Sequence, residues 1–185
     1  MEIEIIPTKD NNDLKFDTLS AFICNGSYFL TTLRIFENGN VDCWGIVSFD
    51  EFVQKVEEGW VTVELPDADI YEICIDGLGD IVAGYEFQNY KTNADLIAEV
   101  KDIIAELNGL PNSLQRCKMA WFSYQSCPID EKRELLREAY EAVPRNNRMY
   151  ILGDQDRKDY PIRAVLAEHD QYLKEQFDPY NNGGY

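Results

Sequence analysis

A single histidine, five cysteines without a Cys-x-x-Cys pair, and four bases in the first ninety positions set the outer limits of this 185-residue chain. With His169 alone, a His-rich metal site is ruled out. Cys24, Cys43, Cys74, Cys117 and Cys127 are odd in number and widely spaced. They read as reduced core residues of a cytoplasmic protein, not as a disulfide framework or zinc ligands. Phosphate binding relies on clustered Lys and Arg, and the front half offers only Lys9, Lys15, Arg34 and Lys55. That scarcity argues against nucleic acid and against an anionic membrane as direct ligands. Long apolar runs are missing too. The longest uncharged stretch, Thr18 to Leu33, is interrupted by Asn25-Gly26, and Met1-Glu2-Ile3-Glu4 places acids where a secretory signal needs bases. No repeat, low-complexity tract, P-loop, nucleophile elbow or zinc spacing is present, and Gly77-Leu78-Gly79 lacks the third glycine of a dinucleotide fingerprint. The sequence therefore implies no cofactor.

What is abundant is negative charge, and it is unevenly placed. Residues 1–90 carry 18 acids against 4 bases, and residues 91–185 carry 16 against 13, a division of the net −17 into −14 and −3. The front half is suited to a basic protein surface or another cation. Solubility alone is the competing explanation for an acidic chain. An apolar content of 45% and an aromatic content of 12% are enough to build a folded core.

The pattern along the chain predicts an α+β fold. An antiparallel N-terminal sheet, a meander of hairpins with helices, is followed by a mainly helical C-terminal part. Glu2 to Ile6 alternates as a strand does. Asn25-Gly26 and Asn38-Gly39 sit between β-prone residues and suit type I′ turns, so three strands are expected over about residues 20–47. Ser48 with Glu51 forms a capping box ahead of Phe49, Phe52, Val53 and Val56, a helix that Gly59 stops. Trp60–Leu65, Asp69–Ile75 and Ile81–Phe87 read as further strands. Helical spacing resumes after Thr92 with Leu96, Ile97, Val100, Ile103, Ile104 and Leu107, ending at Asn108-Gly109. Two helices are expected over Leu114–Tyr124 and Asp130–Val143, then a short strand at Arg148–Leu152 and a helix from Ile162 to Phe177. The expected division is an acidic β-rich domain over 1–109, a mainly helical domain over 110–180, and a frayed tail over 181–185.

Two places carry candidate chemistry. The densest carboxylate run contains Glu57, Glu58, Glu64, Asp67, Asp69, Glu72, Asp76 and Asp80, with Trp60, Tyr71 and Tyr85 interleaved. If strand pairing aligns its outward members, Glu57, Glu58, Glu64, Asp67, Asp69 and Glu72 make a field that steers a basic protein partner, and Trp60, Tyr71 and Tyr85 anchor it. On the competing reading the acids only solvate a face whose inner side holds Trp60. The second candidate is the segment Gly153 to Asp159. Asp154, Asp156 and Asp159 supply hard oxygen ligands for Mg²⁺ or Ca²⁺, and Lys158 would stabilise developing charge in a metal-dependent hydrolase or nuclease. The segment fails the EF-hand test, because Asp159 stands where glycine is required and Val165 where the last glutamate belongs. Salt bridging to Arg145, Arg148, Arg157 and Arg163 accounts for the same residues. His169 lies between Glu168 and Asp170, which point away from it on a helix and cannot orient its ring.

Val41-Asp42-Cys43-Trp44-Gly45, Gly59-Trp60-Val61 and Leu152-Gly153-Asp154-Gln155-Asp156-Arg157-Lys158-Asp159 resemble stretches of small acidic bacterial proteins of uncharacterised families. Such proteins are similar in size and charge to immunity proteins that neutralise secreted toxins. The resemblance implies a class of function, cytoplasmic binding without catalysis, and transfers no residue role.

Overall fold

The computed structural model describes residues 14–65, 70–75, 78–84, 90–153 and 159–167. The expected strand at Glu2–Ile6, the tail, and His169 lie outside them. The chain divides into two compact units, Met1–Leu110 and Pro111–Tyr185.

The first unit is a seven-stranded sheet backed by two helices. Strands β1 (Phe16–Cys24) and β2 (Tyr28–Phe36) form a long antiparallel hairpin. β3 (Val41–Asp42) and β4 (Ile46–Val47) continue the meander, and β5 (Val61–Thr62) lies on the other edge of β1. The two Asn-Gly turns are real but are not type I′. Three residues separate β1 from β2 and four separate β2 from β3, and only the glycines, Gly26 at φ 78° and Gly39 at φ 87°, enter the left-handed region. Asn38 instead turns its side chain inward to accept the Asn40 N–H at 3.0 Å.

A sheet strand can hold different partners along one edge. The edge of β2 away from β1 pairs with β3 at Arg34 and Ile35, and in parallel with β6 (Ile70–Ile75) at Tyr28 to Leu30. β6 in turn pairs with β7 (Gly79–Gly84) over six consecutive residues. At this end of the sheet the strands therefore run in the order β5-β1-β2-β6-β7.

Helix α1 (Phe49–Glu57) begins at the Ser48–Glu51 capping box, and α2 (Asn93–Leu107) at a second box from Thr92 and Asp95. Each ends in a Schellman motif. Trp60 N–H donates to Lys55 O at 2.9 Å and Leu110 N–H to Ala105 O at 2.8 Å, around Gly59 at φ 76° and Gly109 at φ 69°. Their apolar stripes, Phe52 and Val56 from α1 with Leu96 and Val100 from α2, close over Ala21, Ile23, Leu33, Ile35, Val41 and Val61. A smaller cluster of Leu65, Tyr71 and Ile73 covers the opposite face near Phe22, Tyr28 and Leu30.

The strand expected over Trp60–Leu65 is cut to two residues by a polar knot. Asn93 Oδ1 accepts the Val63 N–H and the Thr62 hydroxyl, each at 2.9 Å, and this draws the chain from the sheet towards the start of α2. The last expected strand begins two residues earlier than expected, at Gly79, and is described to Gly84; residues 85–87 lie outside the described residues.

The second unit packs α3 (Ser113–Ser126), α4 (Asp130–Glu141), a 3-10 turn (Arg145–Tyr150) and α5 (Tyr160–Ala167) around Cys117, Trp121, Leu136, Val143, Ile151, Ile162 and Leu166. The strand expected at Arg148–Leu152 is not formed. Pro144, with φ preset at −49°, opens a tight turn that Asn147 N–H closes on Pro144 O at 2.8 Å. Arg148 then donates to the Val143 and Glu141 carbonyls, satisfying the end of α4. Among the described residues no helix is long and apolar enough to cross a membrane.

Candidate protein-docking site

The acidic residues singled out by sequence fall at two edges of the first unit. Glu57 and Glu58 are exposed at the end of α1, where Gln54 donates to Glu58 at 2.7 Å. Trp60 follows as the last residue of the Schellman motif. It is half-buried against the main core, its carbonyl accepts from Cys24 N–H at 2.9 Å, and Lys55 Nζ lies 5.4 Å from its ring centre. Trp60 therefore fastens α1 to β1. Glu64 is half-buried and accepts the Asn93 N–H at 3.0 Å, one of the donors that the first turn of α2 leaves open.

Glu72 lies elsewhere. It is exposed on β6, directly across from Val82 of β7. Three inter-strand steps of about 4.8 Å place β5 and β6 roughly 14 Å apart. This exceeds the Debye length of about 8 Å in physiological salt, so the acids at the β5 edge and those on β6 act as separate fields. Asp67, Asp69 and Asp76 lie outside the described residues.

The β6–β7 hairpin carries the more complete surface. Alternation puts Tyr71, Ile73 and Ile75 on the side of the small core. The other face shows Ile70, Glu72, Asp80 and Val82 to solvent, with Ile70 at 68% exposure and Val82 at 67%. In the parallel register Phe29 of β2 stands beside Cys74 of β6, so this face continues onto Phe29. Trp44, on the turn between β3 and β4, packs edge-on to Phe29 at 5.0 Å and is 51% exposed.

Trp44 was not among the sequence candidates. Its backbone is left-handed at φ 66°, unusual for a bulky residue, with Gly45 N–H donating to Asp42 Oδ1 at 3.2 Å across the turn. The sequence shows a Trp-Gly pair between two β-prone runs, but gives no sign that the tryptophan is the residue turned outward. Asp42 is further fixed by its ion pair with Arg34. The arrangement sets apolar side chains (Ile70, Val82, Trp44) among carboxylates (Glu72, Asp80).

In the second unit, Asp154 and Asp156 lie outside the described residues. Asp159 is buried and engaged on both oxygens. Tyr140 O–H donates to Oδ2 at 2.9 Å, and Arg163 Nη2 lies 3.2 Å from Oδ1. Arg148 stacks on the Tyr140 ring at 4.7 Å. Burial, then the hydrogen bond to Asp159 and the charge it carries, push the Tyr140 hydroxyl up to about 12. The Cys117 thiol is pushed up to about 11 by burial, against the pull of Arg148. Both groups are held neutral at physiological pH, which suits packing and not nucleophilic work. Among the described residues no three His, Cys, Asp or Glu side chains are grouped to hold a metal ion.

Residues 7–111 match the model of the family described as Domain of unknown function (DUF7638), and residues 112–181 match that of Domain of unknown function (DUF7639). Neither the curated proteins nor the solved structures gave a match.

Proposed function

We propose that this chain, which belongs to the DUF7638 family through residues 7–111, is a non-enzymatic cytoplasmic binding protein whose first unit docks a basic protein partner. The supporting observation is the exposed face of the β6–β7 hairpin, where Ile70 and Val82 stand beside Glu72 and Asp80 in the acidic part of the chain. Neutralisation of a basic toxin, the immunity role that the sequence resemblance implies, is the most concrete form of this reading. The metal-dependent hydrolase alternative finds no support at Asp159, whose oxygens already serve Tyr140 and Arg163.

Affinity capture from the native lysate, at low and moderate salt, should retain one basic protein in stoichiometric amount. Reversal of Glu72 and Asp80 to Lys should then weaken that complex by about ten-fold or more and flatten its salt dependence. Reversal of Glu57 and Glu58, across the sheet, should cost less. Retention of no basic protein, or equal losses from the two pairs of reversals, would remove the assignment to this face.

A further inference from the structure

We infer that the outer edge of β7 is a strand-addition site for a basic, extended segment of the partner; this rests on the docking function proposed above and specifies how the partner is held. Three observations converge on it. The first is geometric. β7 pairs with β6 along its whole length, Ile70↔Gly84 through Ile75↔Gly79, and among the described residues nothing pairs with its other edge. In an antiparallel ladder every second residue of such a strand directs its N–H and C=O outward, a template for one more strand.

The second observation is that β7 lacks three of the usual protections of an edge, proline, lysine and a bulge. β7, Gly79-Asp80-Ile81-Val82-Ala83-Gly84, contains no proline and no lysine, and its unbroken register with β6 leaves no bulge. Ile81 is 48% exposed beside the more exposed Val82. A regular, apolar, open edge is a pairing site unless something opposes it.

The third observation selects the occupant. Between Lys55 and Lys91 the sequence has no lysine or arginine and nine acids. A second copy of this chain would bring the same acid-rich, base-free run to β7, and the repulsion of like charge opposes that pairing. A strand alternating lysine with β-branched residues meets the opposite situation. Its lysines lie on the face of Asp80 and Glu72, and its apolar residues on the face of Ile81 and Ala83.

The test uses the whole protein and three labelled peptides: alternating lysine and valine, the same composition with a central proline, and alternating glutamate and valine. Fluorescence anisotropy should show the first binding about ten-fold or more tightly than the second, since proline removes ladder hydrogen bonds without changing charge. Hydrogen exchange should slow at β7 amides with the first peptide alone. Val82→Lys, at an exposed position that tolerates the change, should reduce binding of the lysine–valine peptide by a similar factor while circular dichroism stays constant. Equal binding of both lysine peptides would overturn strand addition and leave charge-driven docking standing. Absence of binding by either would overturn both. Comparable binding of the glutamate peptide, or a concentration-dependent dimer that excludes the lysine peptide, would overturn the basic occupant.

Discussion

Replacing Tyr140 by Phe removes one hydroxyl and tests what Asp159 is for. The Tyr140 O–H donates to a carboxylate that is itself paired with Arg163, so the hydrogen bond is charge-assisted. Bonds of that kind contribute about 1.5–3 kcal/mol when well shielded, and the partly exposed Arg163 and Tyr140 lower the expectation to about 1–2 kcal/mol. Asp159→Asn should cost a similar amount, because it removes the ion pair with Arg163. The double variant should lose about 1 kcal/mol less than the sum of the two, since both substitutions break one shared contact. Urea unfolding followed by circular dichroism at neutral pH gives all three values.

The same contact has an alkaline signature. Tyr140 is raised from its ordinary value near 10 to about 12, so above pH 10 the folded chain holds a proton that the unfolded chain releases. The stability it contributes is whole below about pH 10 and is lost as pH climbs through about 12. Absorbance at 295 nm should show a late tyrosine near pH 12 that Tyr140→Phe removes. An unchanged urea midpoint for Tyr140→Phe, with no late tyrosine, would refute the contact. A stable Asp159→Asn that abolishes Mn²⁺ binding would return Asp159 to the metal reading.

Two further outcomes follow from the geometry. Gly59→Ala should cost about 1–2 kcal/mol, because φ 76° is a left-handed conformation and not because a Cβ would meet other atoms, none of which lies within 4 Å; a neutral result in urea unfolding would mean that α1 ends elsewhere. Among the described thiols Cys127 alone is exposed, while Cys43 and Cys117 are buried and raised by desolvation. A disulfide reagent near pH 8 should therefore modify Cys127 first, and early modification of Cys117, read by peptide mapping, would contradict the packing of α3.

Local features of the fold were legible because each is written within a few residues. Ser48 and Glu51, and the glycines after both helices, announce those ends through capping chemistry that needs no distant partner, whereas the second box, of Thr92 with Asp95, emerged only in the fold. Alternation groups Tyr71, Ile73 and Ile75 on one face of β6 but does not say that this face is the buried one, and Tyr71, an anchor candidate, proves to be buried. The failures are of another kind. Nothing in Asp69–Ile75 says that it pairs with Tyr28–Leu30 in parallel, more than forty positions away, so the carboxylates could be counted but not placed. Thr62 and Asn93 are 31 positions apart, and their contact both shortens β5 and commits Glu64 to a helix terminus. Tyr140 and Asp159 are 19 apart, and neither residue alone signals the other. Arg148–Leu152 fails differently: its five residues without clean alternation suggest a strand, but Pro144 upstream favours a turn.

The charge asymmetry sharpens when counted by folded unit instead of by half. Met1–Leu110 holds 22 acids and 6 bases, and Pro111–Tyr185 holds 12 and 11, so the two units carry −16 and −1. Solubility of a small domain is served by a net charge of magnitude about 2–8. The second unit sits below that range and the first sits well above it, so a general need for solubility does not explain the distribution. Charge beyond that need repels itself and lowers the stability of the unit that bears it. The unit that tolerates this cost is also the one in which, among the described residues, the outer edge of β7 is unpaired, with Val82 and Ile81 exposed and Asp80 between them and the turn. On an edge, acids discourage pairing with a copy of the same chain and encourage pairing with a basic one. On the docking function proposed above, excess charge and unpaired edge share one physical explanation, a partner whose lysines and arginines offset the first while its backbone satisfies the second.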